Sequence, residues 1–197
     1  MQQIGSYLNV KGSDFYFSGC ASCDKRCCDG RAGYALTPLI TDDFADVYRH
    51  FPILFGSIND VFRPLMLMND GNSTCSYLGA NGECRIYEER PPACRLYPIS
   101  PFFDEVFIDS HCPGVSADMI GEVIVQSGKV ASKFYHQRLE NFAKKLEQTA
   151  LFMQALVENE HDFEAVGEVS GVVLYRYNGE KENDLIRMHK ESLLHLE

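Results

Sequence analysis

Cysteine is the residue type whose number and spacing most directly indicate chemistry in this sequence. Eight cysteines occur, all before residue 113, and four of them fall within nine positions. Thiolate is a soft ligand that favours zinc, copper(I) or iron–sulfur centres. The sequence therefore predicts a metal-binding protein whose ligands are Cys20, Cys23, Cys27, Cys28, Cys75, Cys84, Cys94 and Cys112.

The number of metal centres stays open at this point. The side chains of adjacent residues usually diverge, so either one of Cys27 and Cys28 binds while the other supports it, or the two serve different centres. Eight thiols divide evenly into two four-ligand sites. One site of three or four thiols, with several structural cysteines around it, is the simpler alternative.

Iron–sulfur is favoured over zinc, and both over disulfides. The N-terminus has no charged segment followed by an apolar one, so no export signal is expected, and we predict a cytoplasmic protein. In a reducing compartment, clustered cysteines are more typical of metal binding than of disulfides. A zinc ribbon has two C-x-x-C pairs, whereas this chain has one, at Cys20 and Cys23. Iron–sulfur is therefore the favoured cofactor and zinc the alternative.

Arginines accompany the cysteines. Arg90 and Arg95 are the candidates for contacting a cofactor or an anionic group, because a guanidinium offsets thiolate charge and donates to anions. The alternative for Arg90 is an ordinary surface ion pair. His111, beside Cys112, is a less favoured ligand.

The elements that position the cysteines are short and separated by turns. Strands are expected at Phe15–Phe17, Phe62–Met68 and Glu105–Asp109. The Asn81-Gly82 pair predicts a hairpin that carries Cys75 on one arm and Cys84 on the other. Thr41 is expected to cap a helix that runs to about Phe51.

After residue 115 the pattern becomes mainly helical. Apolar residues at three- and four-residue steps predict a short helix over about 119–124, a break at Ser127-Gly128, and a long helix to about Glu158. Val172–Tyr177 reads as a strand without a visible partner, and Asp184 is expected to cap a last helix. We therefore predict an α+β protein with a turn-rich cysteine-cluster domain over residues 1–115 and a helical C-terminal region over residues 116–197.

The cysteine motifs resemble a known family. The cluster from Cys20 to Cys28, followed by Gly-Glu-Cys84-Arg-Ile-Tyr and by Arg-Pro-Pro-Ala-Cys94-Arg-Leu-Tyr-Pro, resembles the CxxCxxCC family of zinc- or iron-chelating proteins. This family is also called the YkgJ-type cysteine-cluster family, and it includes the flagellin lysine N-methylases. The resemblance covers roughly residues 15–115, and three residues instead of two precede the double cysteine. It implies metal binding, and methyl transfer to protein lysine is the only reaction it suggests.

Three classes of function follow. The favoured one is a metal-binding protein that acts in electron transfer or in docking to another protein. The alternatives are a metal-dependent enzyme similar to a protein-lysine methylase and a purely structural zinc domain. No G-x-G-x-x-G loop is present, which weakens a Rossmann-type methyltransferase. A net charge of −10 argues against nucleic-acid binding. The sequence has no apolar stretch of about 18 residues, so no membrane span is predicted. The sequence leaves the oligomeric state open.

Overall fold

The computed structural model describes residues 3–4, 6–19, 26–102 and 105–196. Its strands are β1 (Gln3–Ile4), β2 (Tyr7–Asn9), β3 (Phe15–Phe17), β4 (Leu36–Pro38), β5 (Ile53–Ile58), β6 (Val61–Leu67), β7 (Ile99–Phe102), β8 (Glu105–Asp109), β9 (Val115–Ser116), β10 (Glu122–Gln126), β11 (Lys129–Val130), β12 (Phe163–Val169) and β13 (Val172–Tyr177). Its α-helices are α1 (Phe44–Val47), α2 (Pro92–Leu96), α3 (Lys133–Leu156) and α4 (Asp184–Ser192). The prediction of an α+β protein with helices in its C-terminal region is confirmed.

The chain forms two compact units, each built from two segments. Unit 1 comprises Met1–Cys27 and Cys94–Ala143, and unit 2 comprises Cys28–Ala93 and Lys144–Glu197. The predicted boundary between residues 115 and 116 falls inside unit 1. The separation into a cysteine-cluster domain and a C-terminal region stays a prediction.

Unit 1 contains two antiparallel sheets, with strand orders β1-β2-β8-β7 and β11-β10-β3-β9. An apolar cluster in this unit draws on both sheets and on the start of α3. Its buried members are Val10, Phe15, Ile99, Ile108, Ile124, Val125 and Tyr135.

The prediction of a short helix near residues 119–124 is wrong, since Glu122–Gln126 is strand β10. Ser127 and Gly128 have φ angles of 51° and 75°, which makes them the two-residue turn between β10 and β11. The predicted helix break is therefore a hairpin turn. The β-branched run Val123-Ile124-Val125 fits a strand better than a helix, although its spacing satisfied a helical stripe.

Unit 2 is built on a five-stranded antiparallel sheet with the order β12-β13-β5-β6-β4. Tight turns with positive φ angles, at Asn59-Asp60 and Ser170-Gly171, join β5 to β6 and β12 to β13. Strand β13 was expected to lack a partner, and this expectation is wrong, because it pairs with β12 and β5. Strand β12 lies at the edge of the sheet and is mostly exposed, so its sequence lacks the apolar alternation that marks a buried strand.

The long predicted helix is confirmed as α3. Tyr135, Met153 and Leu156 are buried as expected, but Phe134 is 44% exposed, and Thr149 is buried where Ala150 was expected. The last predicted helix is confirmed as α4, although its cap is Asn183, whose side chain accepts a hydrogen bond from the Ile186 backbone N–H at 3.0 Å.

The predicted helix over residues 41–51 is shorter than expected. Thr41–Asp43 form a 3₁₀ turn that leads into α1. Ile40 lies at the N-terminus of the turn, and its backbone N–H donates to the Asp43 carboxylate at 3.2 Å. Within the described ranges, no α-helix is long and apolar enough to cross a membrane.

Candidate metal centre

Six of the eight predicted ligands lie in the described part of the chain, and no disulfide joins any two of them. They are Cys27, Cys28, Cys75, Cys84, Cys94 and Cys112. Cys20 and Cys23 lie outside the described residues. Cys27 and Cys94 belong to unit 1 with Cys112, and the other three described cysteines belong to unit 2.

Unit 2 brings Cys28, Cys75 and Cys84 together through its backbone. The Cys75 N–H donates to the Cys28 carbonyl at 2.7 Å. Leu78 pairs with Cys84 in an isolated antiparallel bridge, and the Leu78 N–H donates to the Cys75 carbonyl at 2.9 Å. The predicted hairpin is thus reduced to this bridge and a turn, because Gly79–Glu83 closes on itself before regular strands form.

Burial changes the acidity of the Cys75 thiol. Cys75 is 7% exposed, and burial raises the pKa of its thiol to about 11. The thiols of Cys28 and Cys84 act in the same direction, because a neighbouring thiolate disfavours a second negative charge. Cys75 is therefore a neutral thiol at pH 7 in the metal-free protein. A metal that binds it has to displace a proton.

Tyr77 and Arg85 lie beside the turn that carries Cys75. Burial raises the pKa of the Tyr77 phenol, the Cys75 thiol raises it further, and the Arg85 guanidinium lowers it. The Arg85 guanidinium lies 6.0 Å from the centre of the Tyr77 ring and donates to the Ser76 carbonyl. Tyr77 also meets His50 and Phe51 edge to face, with ring centres 5.5 and 5.2 Å away. The turn that carries Cys75 is therefore packed on aromatic rings.

A second turn supports Cys28. Asp29 pairs with Thr74 in an isolated bridge, and the Gly30 N–H donates to the Ser73 carbonyl at 2.9 Å. Gly30 is buried, and a Cβ atom there would lie 2.0 Å from Asn69 Oδ1 and 2.8 Å from the Gly71 backbone. Only glycine permits this approach, which places Cys28 next to the segment that leads into Cys75.

Unit 1 holds Cys94 and Cys112 on two segments that a buried carboxylate joins. Cys94 lies on α2, and Cys112 is buried just after β8. Asp109, at the end of β8, is 0% exposed. Its carboxylate accepts hydrogen bonds from the Tyr97 hydroxyl at 2.8 Å and from the His111 backbone N–H at 2.9 Å.

The two predicted arginines occupy different environments. The Arg90 guanidinium lies over the Tyr87 ring, 3.7 Å from its centre, and Arg90 Nε donates to the Tyr87 carbonyl at 2.9 Å. Arg95 lies on α2 next to Cys94, and its Nε atom is buried. His111, the less favoured ligand, is exposed.

Sequence reasoning missed Gly30, Tyr97 and Asp109 as supports of the cysteine segments. An acidic residue at the end of the apolar run Val106–Ile108, three positions before Cys112, is the signal that identifies Asp109. Gly30 and Tyr97 gave no signal as supports, because their partners Asn69 and Asp109 are distant along the chain.

The donor chemistry of the described cysteines fits zinc or iron, because thiols are soft ligands and these are not joined in disulfides. In residues 3–4, 6–19, 26–102 and 105–196, no three or more Cys, His, Asp and Glu side chains are already arranged to hold a metal ion. Cys20 and Cys23 lie outside those ranges. Within those ranges, the thiols by themselves are not arranged as a complete metal site.

Fold and site together define a class, an α+β protein with cysteine thiols that are not joined in disulfides and that lie on turns and on a short helix in the described residues. Residues 19–114 match the model of the CxxCxxCC family, which bears the description "Putative zinc- or iron-chelating domain". Over this stretch the chain is similar to the CxxCxxCC family. No curated protein and no solved structure matches the chain significantly.

Proposed function

We propose that the protein binds a transition metal through cysteine thiolates, with Cys28, Cys75 and Cys84 as ligands of one centre. The observation that supports this most directly is the backbone pairing of the three segments, through the Cys75 N–H bond to the Cys28 carbonyl at 2.7 Å and the Leu78–Cys84 bridge, within the stretch that matches a chelating family. Metal binding offsets the cost of gathering three soft donors in a partly buried turn, since a cation stabilises thiolates that would otherwise repel one another.

We propose an iron–sulfur centre as the bound group, with zinc as the competing occupant. Eight thiols in one chain provide enough ligands for one or two clusters of four cysteines each. When bound, such a cluster would supply one-electron transfer, and the protein would act in electron transfer or in docking to a partner protein in the cytoplasm.

The remaining cysteines and the two arginines complete the proposed set. Cys20, Cys23, Cys27, Cys94 and Cys112 supply the other thiols, and the number of centres follows from the amount of metal bound. In this proposal Arg95, which follows Cys94 in the sequence, offsets thiolate charge in unit 1, and Arg90 serves the cysteines of unit 2, the unit to which it belongs. No described feature favours the methylase-like alternative.

Metal analysis of protein purified without oxygen tests the proposal. We expect a brown protein that contains iron and acid-labile sulfide, with a visible charge-transfer spectrum. Protein with stoichiometric zinc and no colour would replace the iron–sulfur proposal by the structural-zinc alternative. Wild-type protein with neither metal, even after reconstitution with iron and sulfide or with Zn²⁺, would contradict metal binding itself.

The Cys84→Ser variant identifies the ligands. Metal content should fall to half or less of the wild-type value, because a hydroxyl is a poor replacement for a thiolate at a soft metal. A matched control is Ser76→Ala, which changes a neighbouring exposed side chain and leaves the three thiols in place. Full metal retention in Cys84→Ser would remove Cys84 from the ligand set.

A further inference from the structure

Asp109 in unit 1 is a buried acidic residue that the proposed ligand set does not use. An aspartate is almost never fully buried unless its carboxylate has partners, because removing the charge from water is costly. Asp109 is 0% exposed, and each of its two carboxylate oxygens accepts a hydrogen bond. Its partners therefore indicate what the carboxylate does.

Both partners lead directly to a cysteine. Tyr97, which donates to Oδ2 at 2.8 Å, lies three residues after Cys94. His111, whose backbone N–H donates to Oδ1 at 2.9 Å, immediately precedes Cys112. One carboxylate thus joins the segment that carries Cys94 to the segment that carries Cys112.

Backbone hydrogen bonds at the same residue reinforce this connection. The Asp109 N–H donates to the Pro98 carbonyl at 2.9 Å, and the Cys112 N–H donates to the Asp109 carbonyl at 3.2 Å. The side chain and the backbone of Asp109 therefore restrain the same two segments. Cys112 itself is 3% exposed, so its thiol has little freedom to search for a metal by local movement.

We infer that Asp109 and Tyr97 act as positioning residues that hold the thiols of Cys94 and Cys112 ready for metal. This inference rests on the proposed metal-binding function. Residues that orient metal ligands through hydrogen bonds commonly change metal affinity about 10- to 100-fold when they are mutated. The carboxylate acts through the backbone and the tyrosine, because both of its oxygens already accept hydrogen bonds.

Three variants separate positioning from other roles. Tyr97→Phe removes one hydroxyl and keeps the ring. Asp109→Ala removes both side-chain hydrogen bonds. Asp109→Asn removes the charge but preserves the connection, because its amide oxygen still accepts from the His111 N–H and its NH₂ group donates to the Tyr97 hydroxyl, which can rotate. Ile124→Val, a core change in the same unit, is the control for simple loss of stability.

The first measurement is Zn²⁺ affinity, by competition with a chromophoric chelator under reducing conditions. We expect Tyr97→Phe and Asp109→Ala to bind Zn²⁺ at least about tenfold more weakly than wild type, while Asp109→Asn and Ile124→Val stay within about threefold. If Asp109→Asn loses as much affinity as Asp109→Ala, the carboxylate charge matters and the positioning role is wrong.

The second measurement is independent of metal. Alkylation of native, metal-free protein, followed by mass spectrometry, compares Cys112 with Cys75, a buried thiol of unit 2. We expect Tyr97→Phe to speed alkylation of Cys112 several-fold relative to Cys75, by more than Ile124→Val does at matched stability. Equal effects of Tyr97→Phe and Ile124→Val would reduce the interaction to ordinary stability and overturn the inference.

The two proposals fail in different ways. Wild-type protein that binds no metal contradicts the proposed function, and the alkylation result then still decides whether Tyr97 and Asp109 position Cys112. Wild-type protein that binds Zn²⁺ with the same affinity as Tyr97→Phe and Asp109→Ala supports the proposed function and contradicts the positioning inference.

Discussion

Burial shifts the pKa of single residues in unit 2, upwards where the ionised form is negative and downwards where it is positive. Cys75 and His189 are both buried, and burial disfavours the ionised form of each. The pKa of the cysteine therefore rises, whereas burial lowers the pKa of His189 to about 4, with a smaller contribution from Lys190. The two shifts have different consequences, because a cysteine thiol is a candidate metal ligand, whereas both ring nitrogens of His189 already have hydrogen-bond partners in the core.

His189 joins two strands as a neutral imidazole. Its Nδ1 lies 2.6 Å from the Ile53 carbonyl oxygen, to which the ring donates when Nδ1 carries the proton. Its Nε2 accepts from the Tyr177 backbone N–H at 3.0 Å. A second proton on the ring would remove the acceptor that Tyr177 needs.

We therefore predict that His189 makes the protein less stable in acid. An unfolded histidine has a pKa near 6.5, so the unfolded state binds the extra proton first as the pH falls. The free energy of unfolding should decrease between pH 6.5 and pH 4, by up to about 1.4 kcal/mol per pH unit from this residue, and level off below pH 4. Urea denaturation at a series of pH values measures this slope.

The control is a comparison of two substitutions. His189→Gln should lower stability at pH 7 but also reduce the slope between pH 6.5 and pH 4, whereas replacement of the exposed His161 by Gln should leave the slope unchanged. An unchanged slope in His189→Gln would mean that His189 is not the group that titrates.

At the scale of elements, turns rather than strands hold the thiols of unit 2. The segments that carry Cys28 and Cys75 meet through the Asp29–Thr74 bridge and the approach of Gly30 to the turn at Asn69. Asn69 has little room to move, because its Nδ2 donates to the Tyr34 carbonyl at 3.0 Å and its Oδ1 accepts from the Gly71 N–H at 2.9 Å. The distance between the two cysteine segments thus depends on the absence of a side chain at Gly30.

We predict that Gly30→Ala destabilises unit 2 and weakens metal binding. The added methyl group would meet Asn69 Oδ1 at 2.0 Å, so the turn has to move, and overpacking of this kind costs about 1–3 kcal/mol. Urea unfolding and metal content measure the two effects. Gly167→Ala is the matched control, because a Cβ atom there meets nothing within 4 Å. Equal behaviour of the two variants would show that the turn accommodates the methyl group.

At the scale of the whole molecule, apolar cores and cysteine turns are different sources of stability. The sheet of unit 2 buries Ile53, Leu54 and Phe55 completely, and α4 covers it with Ile186. Residues 69–91 contain no strand or α-helix and few buried apolar side chains. Metal ligation contributes folding free energy most strongly where little else holds the chain.

We predict that removing the metal exposes residues 69–91 to hydrogen exchange while the sheet of unit 2 and α4 stay protected. Exchange with and without a chelator measures this. In Cys84→Ser the chelator should have a smaller effect, since one ligand is already absent. Equal protection of residues 75–84 in the two states of the wild-type protein would contradict a structural contribution from metal.

The sequence by itself determined which ligand chemistry is available to this protein. The number and spacing of its cysteines predicted a metal-binding protein, and the motifs around Cys84 and Cys94 predicted the family that residues 19–114 match. It also predicted the mixed α+β class, strands β3, β6 and β8 and the long helix α3. These features depend on residue identity and local spacing, which a sequence contains directly.

Only the tertiary structure decided which residues meet. Cys28 and Cys75 are far apart in sequence, and their association depends on a glycine contact with Asn69 that no local pattern reveals. Strand β10 was mistaken for a helix because an apolar run at helical spacing can also form a β-branched strand, and its pairing with β3 settles the choice. The connection of Cys94 to Cys112 through Asp109 likewise depends on a hydrogen bond across twelve residues. Pairing between distant segments is determined by the free energy of the whole fold, and a local pattern contains only part of that information.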